Sequence, residues 1–132
     1  MPARILIVDD AVFMRNMLGD ILIAPEFEVV GEAKDGVEAV EKYGQLMPDL
    51  VTMDIVMPAK SGIDATREIL QIDADARVVM ISGLGQLSLV EEALNNGAVD
   101  FILKPFNAED VREKLRKALL LPKAQAASGR LP

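Results

Sequence analysis

A three-layer, doubly wound α/β domain, with a five-stranded parallel sheet and five helices, is the fold class this sequence predicts. Three observations carry the prediction. Five short apolar, β-branched runs alternate with five longer stretches whose apolar residues recur at helical spacing. Three of the runs are apolar almost throughout, as strands buried on both faces of a parallel sheet tend to be. At 132 residues the chain is one domain with room for a substantial core.

The first run, Arg4–Val8, ends at Asp9 and Asp10. Val12–Ile23 follows, with Phe13, Met17, Leu18, Ile21 and Leu22 at spacings of three and four, the apolar face of a helix. Glu28–Glu32 is the second strand. Asp35 is placed to cap the second helix, Gly36–Leu46, with Glu38 three residues on as in a capping box. Leu50–Met53 is the third strand and Gly62–Ile72 the third helix. Val78–Ile81 precedes the helix Gln86–Asn96, in which Leu87, Val90 and Leu94 face inward and Gly97 follows as the C-cap signal. Val99–Leu103 is the fifth strand. Asn107 caps Ala108–Leu120, whose first turn sets Glu109 and Asp110 against the positive end of the helix dipole. Right-handed crossovers between parallel strands place these helices on both faces. Met14, Met17 and Met47 read as core or helix-packing residues rather than as a methionine-rich groove. Residues 1–121 form the domain. Residues 122–132 carry Pro, Ala, Ser and Gly without apolar periodicity, the composition of a linker or frayed end.

Composition removes several kinds of chemistry. With no cysteine and no histidine, disulfides, thiolate metal sites, cysteine nucleophiles and the Ser-His-Asp triad are all excluded. A net charge of −7 repels phosphate backbones and argues against direct nucleic-acid binding. No segment is apolar for the 18 or so residues of a membrane span. The first apolar run is too short for a signal peptide and two acids interrupt it, so a cytoplasmic location is expected. Chemistry must rest on carboxylates, hydroxyls, lysine, backbone amides or a hard metal held on oxygen.

In open parallel sheets, ligands gather beyond the carboxyl ends of the strands. Asp9 and Asp10 end the first strand, Asp54 the third, Ser82 the fourth and Lys104 the fifth. Singly these are a helix cap, a turn residue and a solvated lysine. Together they put three carboxylates, a hydroxyl and an ammonium on one edge. Clustered carboxylates repel, and a divalent cation and the lysine can relieve them. An all-oxygen site with few protein ligands suits Mg²⁺, which keeps waters and is commonly completed by phosphate. Cation, ammonium and hydroxyl can each meet one equatorial oxygen of a phosphoryl group in transit, with an aspartate as acceptor.

The motifs Val8-Asp9-Asp10, Met53-Asp54-Ile55-Val56-Met57-Pro58, Ile81-Ser82-Gly83 and Lys104-Pro105-Phe106 resemble the receiver domain of two-component response regulators. The resemblance runs from about residue 4 to residue 120, with each motif at its strand end. Asp9-Asp10-Ala11-Val12-Phe13-Met14-Arg15 and Gly97-Ala98-Val99-Asp100-Phe101 are most similar to the family's stand-alone chemotaxis members. The resemblance implies a flavodoxin-like sheet and a phosphoryl group accepted on Asp54 from a histidine kinase. It implies Mg²⁺ held by Asp10, Asp54 and the Val56 carbonyl, with Asp9 acting mostly through water. Lys104 and Ser82 would each meet a phosphoryl oxygen, and Phe101 would be the switch aromatic. The Lys104-Pro105 bond would be cis. Implied partners are the kinase, a flagellar switch protein and a phosphatase, met by a monomer through Gln86–Asn96, Phe101 and Ala108–Leu119. Catalysis would be limited to self-phosphorylation and self-dephosphorylation. Ser82 and Phe101 depart from the family's commoner threonine and tyrosine, and nothing in the sequence accounts for Lys60.

Three other readings compete. The domain could belong to a longer regulator with a separate effector output. A magnesium-dependent phosphohydrolase typically needs a second acid two residues after its nucleophile, where this chain has Val56. Gly83-Leu84-Gly85 is a lone Gly-x-Gly after the fourth strand, too little for a nucleotide-binding fingerprint.

Overall fold

The β-branched runs pair as five parallel strands in the order β2-β1-β3-β4-β5, in a computed structural model that describes residues 1–121. The expected tail, 122–132, lies outside the described residues. The strands are β1 (Ala3–Val8), β2 (Phe27–Ala33), β3 (Leu50–Asp54), β4 (Val78–Ser82) and β5 (Asp100–Leu103). The helices are α1 (Val12–Ile21), α2 (Gly36–Leu46), α3 (Gly62–Ile72), α4 (Leu87–Asn95) and α5 (Ala108–Leu120). Among the described residues no helix is long and apolar enough to cross a membrane.

Side chains of the central strands alternate between two cores, so both faces must be apolar. Leu6, Val8, Val51, Met53, Val78 and Met80 pack under α2, α3 and α4 through Ala39, Tyr43, Ile63, Ile69, Val90 and Ala93. Ile5, Ile7, Leu50, Val79 and Ile81 pack under α1 and α5 through Leu18, Leu22, Val111 and Leu115. The three nearly all-apolar runs are the three inner strands. β2 and β5, which carry acids, are the edges.

Two expected helix caps form: Asp35 accepts from the Glu38 amide at 2.8 Å and Asn107 from the Asp110 amide at 2.8 Å. The capping box at α2 is shifted by one residue, because the Glu38 carboxylate takes the Lys34 amide (3.2 Å) rather than that of Asp35. Ser61 caps α3 through the Asp64 amide.

The structure corrects two helix faces. On α1 the inward residues are Met14, Leu18 and Ile21, with Leu22 just beyond, while Phe13 and Met17 are exposed. A ten-residue helix with apolar side chains on several sides satisfies the three-four spacing in more than one rotation. On α4, Val90 and Leu94 pack inward but Leu87 is exposed. Leu87 is the first residue of α4, and its exposure is at the helix end. Met47 is exposed too, at the C-terminus of α2 with φ of 44°, where the Arg4 guanidinium binds the carbonyls of Leu46 and Met47.

Candidate functional site

The chain leaves β1 for β2 on one side and returns to β3 on the other, so a crevice opens between the carboxyl ends of β1 and β3. Asp9 and Asp10 follow β1, and Asp54 is the last residue of β3. Carboxylate oxygens of all three lie within 4.8 Å of one another. Asp9 is 1% exposed and Asp54 8%, whereas Asp10 faces solvent.

Neither Asp9 nor Asp10 is the N-cap of α1, since Ala11 holds that position without a side-chain bond. Asp9 Oδ1 accepts from the Ala11 amide at 2.9 Å. Its Oδ2 is buried without a hydrogen bond and faces the Lys104 ammonium at 4.0 Å. Lys104 Nζ also stands 3.8 Å from Asp54 Oδ1. Lys104 directly follows β5 and its amide donates to the Ser82 carbonyl (2.7 Å), which ties the lysine to the end of β4. The Lys104-Pro105 peptide is cis, as expected.

Burial first and the neighbouring charge of Asp9 second, against the pull of Lys104, raise the Asp54 carboxyl from its ordinary 3.8 to about 6. Asp9 is raised as well, chiefly by burial, while the Ala11 amide and Lys104 work the other way. Two desolvated carboxyls facing one lysine are a site short of positive charge. An unpartnered Asp9 oxygen and an all-carboxylate donor set fit a hard divalent cation. Asp9, Asp10 and Asp54 are the residues that could hold one.

Ser82 is fully buried and its hydroxyl has no partner. It lies one residue past Ile81, the residue paired with Asp54. Phe101 is half-buried on β5 with the Lys114 ammonium 5.1 Å from its ring centre. Val56 lies two residues past Asp54 and is 54% exposed, and Leu84 is 76% exposed. Leu84 lines a cleft with Met14, Met17, Gly83, Lys104 and Phe106.

Several contributors were not legible in the sequence. At Gly62 an added Cβ would fall 2.0 Å from the Asp54 carbonyl, so only glycine lets α3 start against the end of β3. The Gly62 amide donates to Ile55 O at 2.8 Å and closes the loop that follows Asp54. Lys60 in that loop pairs with Glu68, which accounts for its charge. The Gly83 amide donates to Gln86 Oε1 at 2.6 Å. Arg15 donates to the Asp9 carbonyl at 2.7 Å. A glycine in the first turn of a helix, and an arginine five residues after paired acids, were the available signals.

Comparison with known proteins agrees with this geometry. The pattern of the response regulator receiver domain matches residues 5–116. The chain is 58% identical to the chemotaxis protein CheY of Bacillus subtilis over 119 residues, 90% of this chain and 99% of that protein. The response regulator domain of Thermotoga maritima CheB superposes with a TM-score of 0.86 at 44% identity, covering 92% of this chain and 99% of that one. CheY in the CheX-CheY-BeF3-Mg²⁺ complex from Borrelia burgdorferi gives 0.86 at 39% identity, covering 92% of each chain. This chain belongs to the response regulator receiver domains of two-component signalling.

Proposed function

We propose that the chain is a chemotaxis switch that takes a phosphoryl group onto Asp54 from the phosphohistidine of a histidine kinase. The observation that carries this reading is the convergence of Asp54 with Asp9, Asp10 and Lys104 at one strand edge. The chemotaxis assignment is supported by the likeness to relatives named CheY.

Asp10, Asp54 and the Val56 carbonyl would hold Mg²⁺, with Asp9 acting through water. When bound, the cation neutralises charge on the phosphoryl oxygens. An Asp54 oxygen attacks phosphorus in line, the P–N bond to histidine breaks as the P–O bond forms, and the imidazole leaves with the electron pair. Lys104 meets a second phosphoryl oxygen as the carboxylate loses its charge. Ser82 donates its otherwise unused hydroxyl to a third. Movement of Ser82 toward the phosphoryl group opens space in which Phe101 turns inward, and the face formed by α4, β5 and α5 changes its affinity for a flagellar switch protein. The similar Borrelia burgdorferi structure is a complex of CheX, CheY, BeF3 and Mg²⁺, which supports both the cation and a protein partner in this reading.

The test is labelling by acetyl phosphate with Mg²⁺, read by intact mass. One phosphoryl group on wild type, none on Asp54→Asn, and a labelled but unresponsive Lys104→Ala are expected. Full labelling of Asp54→Asn would overturn the acceptor. Sustained turnover of small phosphate esters would favour the phosphohydrolase instead.

A further inference from the structure

Arg15 lies on the first turns of α1, with its side chain largely buried at 15% exposure. Its Nη1 donates to the carbonyl oxygen of Asp9 at 2.7 Å. Its Nε donates to the Glu32 carboxylate on β2 at 3.0 Å. That carbonyl belongs to the peptide joining Asp9 to Asp10. The Asp9 amide is held by the Ala33 carbonyl (3.0 Å) and the Asp9 side chain by the Ala11 amide (2.9 Å). The remaining freedom at this joint is the tilt of the Asp9–Asp10 peptide plane, and Arg15 removes it. Without the grip, Asp10 could swing toward solvent while Asp9 stayed in place.

We propose that Arg15 is a positioning residue for the cation: braced on Glu32, it fixes the peptide plane that aims Asp9 and Asp10 at one ion. This rests on the magnesium reading above. A guanidinium is suited to the task because its planar fork engages a carbonyl and a carboxylate at once, which an ammonium does only in part.

The sign of the effect separates positioning from mere charge. A cation beside three carboxylates repels Mg²⁺, so deleting its charge alone would tighten binding. If Arg15 positions the acids, deleting it weakens binding despite the lost repulsion. Groups that orient ligands without touching the metal typically contribute about 10- to 100-fold in affinity.

The experiment is calorimetric titration of Mg²⁺ into chelator-treated full chain, with no phosphodonor present. Arg15→Met is expected to weaken binding by roughly tenfold. Arg15→Lys, which keeps the charge and one donor, should fall between that variant and wild type. Glu32→Gln keeps an accepting oxygen but loses the charge that anchors the guanidinium, so the brace loosens and a smaller loss in the same direction is expected. Denaturant unfolding in EDTA reads stability separately, and the affinity losses should not track it. Wild-type or tighter Mg²⁺ binding by Arg15→Met, or by Arg15→Lys and Glu32→Gln together, would overturn the proposal. No Mg²⁺ binding by wild type would instead remove the magnesium reading itself.

Discussion

The Lys104 ammonium stands 3.8 Å from Asp54 Oδ1, inside ion-pair range and beyond the reach of a hydrogen bond. At that separation its attraction does not offset the burial of the carboxyl, and Asp54 stays raised to about 6. In the unfolded chain the same group returns to its ordinary 3.8. A carboxyl raised by folding favours the native state while it is protonated and opposes it once ionised. Stability from this group is therefore complete below pH 4 and is lost as pH rises through about 6. The full difference corresponds to roughly 3 kcal/mol. Asp54→Asn stays neutral throughout. In EDTA its stability should match wild type near pH 4 and exceed it by up to about 3 kcal/mol at pH 7.5. Urea unfolding of both proteins at the two pH values reads this directly, and a constant gap would show that Asp54 titrates normally.

Magnesium should reverse that penalty. A cation bound only by the folded chain stabilises it by mass action, by about 1.4 kcal/mol at ten times its dissociation constant. Thermal unfolding should shift upward by a few degrees with millimolar Mg²⁺ in wild type. Asp10→Asn, which removes the exposed member of the cluster, should lose most of the shift. An equal shift in both proteins would place the cation elsewhere.

The strand layout was legible because burial on two faces leaves a mark in sequence. Runs such as Ile5-Leu6-Ile7-Val8 cannot be mistaken for half-solvated strands, and they proved to be the inner ones. Asp9, Asp10, Asp54 and Lys104 were legible for a related reason, since each stands where an apolar run stops. Arg15 and Gly62 were not, because their partners are backbone carbonyls of Asp9 and Asp54. A sequence records side chains and carries no sign of where a carbonyl points. The rotation of α1 was misread because Phe13, Met14, Met17 and Leu18 are all apolar, and only packing shows which pair is inside.

Ser82 presents a buried hydroxyl with nothing to bond in the resting protein. Removing it leaves no partner unsatisfied, so Ser82→Ala should unfold within about 0.5 kcal/mol of wild type or be slightly more stable. The same variant should still accept a phosphoryl group on Asp54. What it should lose is the response. With beryllofluoride in place of the phosphoryl group, amide NMR shifts along α4 and at Phe101 should be clearly smaller than in wild type. An undiminished response would remove the hydroxyl from the switch.

The lifetime of the phosphorylated state should be set by two apolar side chains, Val56 two residues past Asp54 and Leu84 two residues past Ser82. An aspartyl phosphate is lost when water attacks phosphorus in line, opposite the Asp54 oxygen. Val56 and Leu84 are exposed, at 54% and 76%, so they are free to stand in the approach. Neither can orient a water by hydrogen bonding or take its proton, and both exclude it by bulk. Gly83, between Ser82 and Leu84, adds no bulk of its own, since a Cβ there would meet nothing nearer than 3.7 Å. A donor can therefore reach the phosphoryl group even where an unassisted water is poorly placed. Slow self-dephosphorylation follows, with the signal ended by a separate phosphatase or by return transfer to the kinase. Val56→Asn combined with Leu84→Glu should speed the loss about tenfold if each polar group contributes a little under 1 kcal/mol to the barrier. Decay of the phosphorylated protein after removal of the donor measures it. Equal decay in wild type and the double variant would mean that access of water is controlled by other groups.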